Sequence, residues 1–113
     1  TFENLHIRQE SWKLFDELFV LFTNDSFKHY FFRDQILRAA LSINNNIAEW
    51  YETKTLAERK QFLNYAKRSC GEVRSILYRA HACWMITWQS TKHYINQAKK
   101  ISIMIYKFSS QQK

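Results

Sequence analysis

The chain of 113 residues contains no proline and a single glycine, Gly71. Proline and glycine normally delimit short strands and tight hairpins, so their scarcity disfavours a β-sandwich or a β-barrel. One glycine is also too few for a phosphate-binding loop, a dinucleotide-binding turn or a hydrolase nucleophile elbow. These absences favour long helices, and they leave no recognised catalytic motif in the sequence.

Cysteine is almost as scarce, with only Cys70 and Cys83. On one predicted helix the two residues lie about 20 Å apart, too far for a disulfide. We interpret them as free, buried cysteines of a reducing compartment, and we expect a cytoplasmic protein. No apolar run approaches the ~20 residues of a membrane span and nothing resembles a signal peptide, so we expect no membrane partner.

Hydrophobic residues make up 46% of the chain, which is enough to bury a core. Helical periodicity predicts four helices at about 4–23, 27–52, 55–86 and 90–109. The predicted core faces are Trp12, Phe15, Phe19 and Phe22; Phe32, Ile36, Ala40, Ile43, Ile47 and Trp50; Phe62, Ala66, Ser69, Val73, Ile76, Ala80 and Cys83; and Tyr94, Ala98, Ile101, Ile105 and Phe108. Short connections make sequential helices antiparallel neighbours, so we predict an all-α, up-and-down four-helix bundle with one domain, 1–113.

Three polar segments predict the breaks between these helices. The segment 23–26 offers side chains that cap a following helix, and its Asn-Asp-Ser triplet is interpreted as a cap or turn, not a glycosylation site. Thr55 and Glu58 have the spacing of a capping box. The third break is predicted at 89–91.

The net charge of +7 is divided unevenly along the chain. Residues 1–53 carry five Lys/Arg and eight Asp/Glu, a net charge of −3, whereas residues 54–113 carry twelve Lys/Arg and two Asp/Glu, a net charge of +10. Lys60, Lys67 and Arg74 recur every seven residues and so form a stripe on one helix face. The candidate nucleic-acid-binding residues are Lys60, Lys67, Arg68, Arg74, Arg79, Lys99 and Lys100.

Two hypotheses follow from this basic surface. It can bind the phosphate backbone of RNA or DNA, alone or in a ribonucleoprotein, with salt-dependent and sequence-tolerant affinity. Alternatively, it can meet acidic residues such as Asp16, Glu17 or Asp34 of a neighbouring copy in a structural or partner-binding ring. The two hypotheses are compatible, because a ring can present its remaining basic surface to nucleic acid.

Catalytic and metal-binding patterns are sparse. Glu3-x-x-His6 is the one match to the motif that holds di-iron sites in helical bundles, and it lies at the N-terminus, before a core exists. We therefore expect no metal, no cofactor and no enzymatic activity. One polar group is better defined: Asn46 with Glu49 on the second helix, and Ser69 with Glu72 on the third, each one turn apart. We interpret these four residues as a hydrogen-bonded lock between the helices, with a carboxylate pair for acid/base work as the alternative.

Two motifs carry a family resemblance. Residues 38–49 read RAALSINNNIAE, and residues 62–72 read FLNYAKRSCGE. They are similar to RAAxSIxxNIAE and FLxxAxxSxxE of the bacterial four-helix-bundle proteins encoded in intervening sequences of 23S ribosomal RNA genes. The opening residues 2–5, together with Gln9, also fit the pattern of that family. The chain departs from that pattern at Asn44, where the family has proline, and at Trp50 and Arg68, where it has glycine.

The resemblance implies an up-and-down bundle that assembles as a ring-shaped homopentamer, in a family of unknown biochemical role. A more distantly related bundle, the accessory protein of diversity-generating retroelements, is basic and pentameric and works with a reverse transcriptase and nucleic acid. By analogy, that relation adds nucleic acid or a protein as an expected partner.

Overall fold

The computed structural model describes residues 2–111. They form four α-helices, which are α1 (Phe2–Thr23), α2 (Tyr30–Glu52), α3 (Leu56–Ala82) and α4 (Trp88–Ser110). No strand occurs in this part of the chain. The all-α prediction is confirmed.

Each helix packs against its two neighbours in chain order: α1 and α3 both contact α2 and α4. The result is an up-and-down antiparallel bundle with extents of 46 × 20 × 20 Å. Connections 24–29 and 83–87 share one end, which we call the two-loop end; connection 53–55 lies at the other. No helix within the described residues is long and apolar enough to cross a membrane.

The first two connections differ in how well the sequence predicted them. In the first, Asn24 Oδ1 accepts a hydrogen bond from the Ser26 amide at 3.0 Å. The triplet therefore forms a turn, as predicted, but α2 begins three residues later than expected and lacks a side-chain cap. In the second, Thr55 Oγ1 accepts from the Glu58 amide at 3.3 Å, which confirms the predicted cap of α3.

The third connection begins earlier than predicted, because α3 ends at Ala82. Trp84 adopts a left-handed backbone with φ 66°. Its amide donates to His81 O at 2.9 Å, and the next amide, of Met85, donates to Ala80 O at 2.9 Å. This is a Schellman ending, in which glycine usually takes the left-handed position. Because tryptophan takes this position, the sequence lacks the glycine that would mark the end of α3. The hydrophobic periodicity therefore predicted a helix that is too long.

The core confirms the predicted faces of α2 and α4, except that Phe32 and Tyr94 are only half-buried, and it corrects that of α1. In α1 the buried apolar residues are Ile7, Leu14, Leu18 and Phe22. Trp12 and Phe19 of the predicted face are 44% and 49% exposed, and Phe15 is half-buried. Helix α1 is apolar on two faces, and the aromatic one had the stronger spacing.

Helix α3 carries the second correction to the core. Ala66, Ser69, Val73 and Ala80 are buried as predicted, and Phe62 and Ile76 are half-buried. Cys83 is exposed, because it follows the end of the helix, whereas Cys70 is buried. Burial raises the pKa of the Cys70 thiol to about 12. Only one of the two thiols is thus a packing residue.

Two of the departures from the family pattern fill space in the core. Asn44 Nδ2 donates to Ser11 O of α1 at 3.3 Å and to Ala40 O at 3.1 Å. The Trp50 ring meets that of Phe108 of α4 edge-on, with 4.9 Å between centroids. Asn44 ties α2 to the neighbouring helix α1, and Trp50 ties it across the core to the diagonal helix α4.

The corrected face of α1 gives a stability prediction. Leu18→Ala removes a fully buried side chain and should lower the free energy of unfolding by about 2–5 kcal/mol. Val20→Ala, two residues away and largely exposed, should change it by no more than about 0.5 kcal/mol. Urea unfolding followed by circular dichroism measures both. Equal effects of the two substitutions would contradict the assignment of the core face.

Candidate nucleic-acid interface

Carboxylates are scarce in the basic half of the bundle. No Asp or Glu occurs from Val73 to the end of the chain, and α4 has none at all. Helix α3 contributes only Glu58, in its first turn, and Glu72, just past its middle. The positive potential of α3 and α4 therefore has few local charges to cancel it.

Lys60, Lys67 and Arg74 lie on the side of α3 that faces α4. Lys67 fixes this orientation, since its Nζ lies 5.0 Å from the ring centroid of Tyr106 in α4. Moving seven residues along each antiparallel helix from that contact brings Arg74 opposite Lys99. We call the surface formed by Lys60, Lys67, Arg74 and Lys99 the α3/α4 face.

Arg68 and Arg79 lie on a different side of α3. Both residues are rotated about the axis of α3 away from the residues of the α3/α4 face. The Arg68 guanidinium lies 5.6 Å from the ring of Tyr65 on its own helix. Both side chains are exposed. Near the two-loop end, Arg74 and Arg79 line one shallow depression with Ser75, Tyr78 and Ala82. The predicted single surface is thus two lines on different sides of α3.

Lys100 belongs to neither line. Its Nζ donates to Glu10 Oε1 of α1 at 2.9 Å, so the side chain turns toward the α1/α4 seam. The hydrogen bond from Lys100 is the main cause of a lowered pKa for the Glu10 carboxyl. The structure therefore removes Lys100 from the predicted basic surface.

The predicted polar lock forms in part. Ser69 Oγ donates to Ser42 Oγ at 2.9 Å, and Asn46 Nδ2 donates to Ser42 O at 2.8 Å and to Ser42 Oγ at 3.1 Å. Glu49 and Glu72 are exposed, and their carboxylates accept no hydrogen bond within residues 2–111. Their inclusion in the lock was wrong, because helical rotation carries them past the contact. Ser42 was missed, although it lies one turn before Asn46 on the same face.

The N-terminal Glu3 and His6 line a groove at the end of the bundle opposite the two loops. His6 Nε2 lies 3.5 Å from Glu10 Oε1. Among residues 2–111, no three His, Cys, Asp or Glu side chains gather closely enough to hold a metal ion.

Sequence reasoning also missed a group of aromatic residues at the two-loop end. Trp84 and Trp88 are 94% and 52% exposed, and the His81 ring lies 5.2 Å from the Trp88 ring between centroids. His81 Nδ1 lies 3.2 Å from Ile86 O. The sequence signal available was aromatic residues among cations in a stretch without carboxylates.

The opposite side of the bundle exposes apolar residues. Leu5, Trp12 and Phe19 recur every seven residues along α1 and are all at least partly exposed. Arg8, on the same side, lies with its guanidinium 5.7 Å from the ring of Tyr51 in α2. This α1/α2 face, defined by Leu5, Trp12, Phe19 and Tyr51, is apolar where the α3/α4 face is cationic.

Comparison with known proteins agrees with the fold and the motifs. The family model described as 23S rRNA-intervening sequence protein matches residues 3–107, which confirms the resemblance noted from the sequence. A similar crystal structure is that of a protein of unknown function from the S23 ribosomal protein family of Bacteroides thetaiotaomicron. It has a TM-score of 0.86 at 18% identity, covering 96% of this chain and 99% of that chain, so it supports the fold alone. No curated protein matches the chain.

The Lys100 contact predicts a pH dependence. In Lys100→Met, the Glu10 pKa should rise toward its usual range, whereas Lys99→Met, at the adjacent exposed residue, should leave it in place. Because the folded-state pKa lies below the unfolded one, the pair stabilises the fold above the unfolded-state pKa and this contribution is lost as pH falls through the folded-state pKa. Carboxyl NMR titration of Glu10 measures the shift. No change in Lys100→Met would show that the contact is not formed.

Proposed function

This chain belongs to the 23S rRNA-intervening sequence protein family, and we propose that it is a non-enzymatic helical bundle that binds nucleic acid, as RNA or a ribonucleoprotein, through the α3/α4 face. The observation that carries the proposal is the row of Lys60, Lys67 and Arg74, reinforced by Lys99 on the adjacent helix α4, in a half of the chain with two carboxylates. We infer a cytoplasmic location from the free cysteines.

The dimensions of the row suit a phosphate backbone. From Lys60 to Arg74 the cations extend over about 21 Å of helix, enough to follow several successive phosphates. Each neutralised phosphate releases condensed counterions, which is the main source of sequence-independent affinity. The contact with Tyr106 restricts the Lys67 side chain, so less side-chain freedom is lost on binding.

The same features predict weak sequence preference. Lysine contacts to phosphate position a nucleic acid without reading its bases. Affinity through this face should depend on salt and on strand charge more than on sequence.

The test is a paired charge reversal. Lys67→Glu with Arg74→Glu should weaken binding to RNA and duplex DNA at least tenfold at low salt and reduce the slope of log affinity against log salt by about one to two units. The control, Lys13→Glu with Arg38→Glu, makes the same charge change on α1 and α2 and should preserve most of the slope. Fluorescence anisotropy across a salt series measures both.

Two results would count against the proposal. One is absence of binding by the unaltered protein at low salt. The other is an equal loss for the two double variants, which would assign the affinity to net charge and not to this face.

A second candidate function is favoured by the α1/α2 face. Exposed apolar side chains that recur along a helix mark protein contacts, and we propose that a second copy of this chain covers them in a homo-oligomeric ring, the pentamer that the family resemblance implies.

The acidic residues expected to contact the basic half of a neighbouring copy differ in whether they already have a partner within their own chain. Glu17 lies 3.6 Å from His93 and Asp34 bonds Arg33, whereas Asp16 is exposed.

Sedimentation velocity tests the ring. The protein should sediment as an oligomer at micromolar concentration, and Trp12→Glu with Phe19→Glu should shift it to the monomer without loss of helicity, since both side chains are about half exposed. A monomer at low salt before any substitution would contradict this second function and leave the nucleic-acid proposal intact.

A further inference from the structure

We propose that the two-loop end is a stacking platform for unpaired bases of single-stranded nucleic acid, with Trp84 and Trp88 as its rings. The inference rests on the proposed nucleic-acid function. It adds the strandedness of the ligand and the place where bases are held, whereas the α3/α4 face holds phosphates.

The position of Trp84 does not contribute to the stability of the fold. It is 94% exposed, so it adds almost no buried apolar area. It also occupies the left-handed position of a Schellman ending at φ 66°, where a side chain is disfavoured and glycine is usual. Folding therefore does not account for a large, solvent-exposed ring on a strained backbone. Backbone strain of this kind is concentrated at ligand-binding sites.

Trp88 and His81 give the platform a second, anchored ring. Trp88 is the first residue of α4 and is half exposed. One side of it is covered by His81, whose ring lies 5.2 Å away between centroids, and His81 itself contacts Ile86 O at 3.2 Å. Trp84 and Trp88 line one open depression between the two connections, with His29 on the facing side. Both rings are therefore accessible to the same ligand.

Cations lie on both helices that flank the rings. On α3, Arg74 and Arg79 line a separate depression in the half of the helix nearer the two-loop end, together with the half-exposed ring of Tyr78. On α4, Trp88 also lines a depression with Lys92 and His93. No carboxylate side chain follows Glu72 in this half of the chain; the facing connection adds Asp25, Lys28 and His29. Exposed aromatics among unneutralised cations are how proteins bind single strands, by stacking bases while tracking phosphates.

The surroundings favour nucleic acid over a membrane surface. Tryptophan also anchors proteins at lipid interfaces, but there it borders a continuous apolar surface. Here the apolar lining residues Leu21, Phe27, Met85 and Ile86 are interrupted by polar ones, namely Asn24, Ser26, Thr87 and Ser90. Duplex bases are stacked on each other and are not available to the rings, so the platform should distinguish single strands from duplexes.

The experiment compares single-stranded and duplex ligands of about 12 nucleotides, a length suited to one single-strand site. Oligouridine and oligothymidine should bind more tightly than the matched duplex and quench tryptophan fluorescence. Trp84→Gly should weaken single-strand binding at least fivefold, as expected for loss of one stacked base, while duplex affinity stays unchanged. Because glycine suits the left-handed position, this variant should melt at the same or a higher temperature, which separates binding from folding.

Trp88→Ala provides a second variant with the same expected loss. The matched control is Phe2→Ala, which removes an exposed ring of α1 at the far end of the bundle and should keep single-strand affinity.

Three outcomes would overturn the platform. Salt-dependent binding that is equal for single strands and duplexes and unaffected by Trp84→Gly removes it while the α3/α4 face stands. No binding of any nucleic acid at low salt removes the platform together with the proposed function. A tryptophan emission shift with anionic phospholipid vesicles, without quenching by either oligonucleotide, assigns the end to a membrane surface instead.

Discussion

The contact between α2 and α3 is the constraint on which the rest of the bundle depends. It is the most extensive helix pair, and it contains the hydrogen bonds of Ser42 with Asn46 and Ser69. A partly buried hydroxyl pair is satisfied at one axial offset only, since a shifted register would leave its polar groups unpaired. These residues belong to both family motifs. The motifs therefore describe the joint that sets the height and rotation of α3, and with it the position of the α3/α4 face.

Helix α1 is held differently, and this explains its two apolar faces. Leu14 and Leu18 fill the core, and Asn44 donates to the Ser11 carbonyl across the α1/α2 contact. The Lys100 to Glu10 contact closes the other seam with α4. The aromatic side left outside has no covering partner among the described residues of one chain. A bundle with an apolar side and a cationic side can assemble through the first and bind an anion through the second, so the two proposed functions need not compete.

At the two-loop end, a destabilising backbone conformation at one residue occurs in a region rich in positive charge. Placing Trp84 in the left-handed position costs about 1–2 kcal/mol relative to glycine. The fold tolerates that cost because the Schellman hydrogen bonds and the half-buried Met85 close the helix around it. Arg74 of the α3/α4 face and Arg79 line one depression in the half of α3 nearer this end. A single strand that follows the cations toward this end would meet the rings there.

The sequence alone determined the helical class, the up-and-down order, the core faces of α2 and α4 and the charge division, because periodicity and charge are properties of local spacing. Only the tertiary structure decided the rest. It showed which apolar side of α1 is buried, since both have helical spacing, and that Glu10 of α1 engages Lys100. It also ended α3 before Trp84, because the stop lies in backbone geometry and long-range packing, and neither leaves a signal in residue spacing.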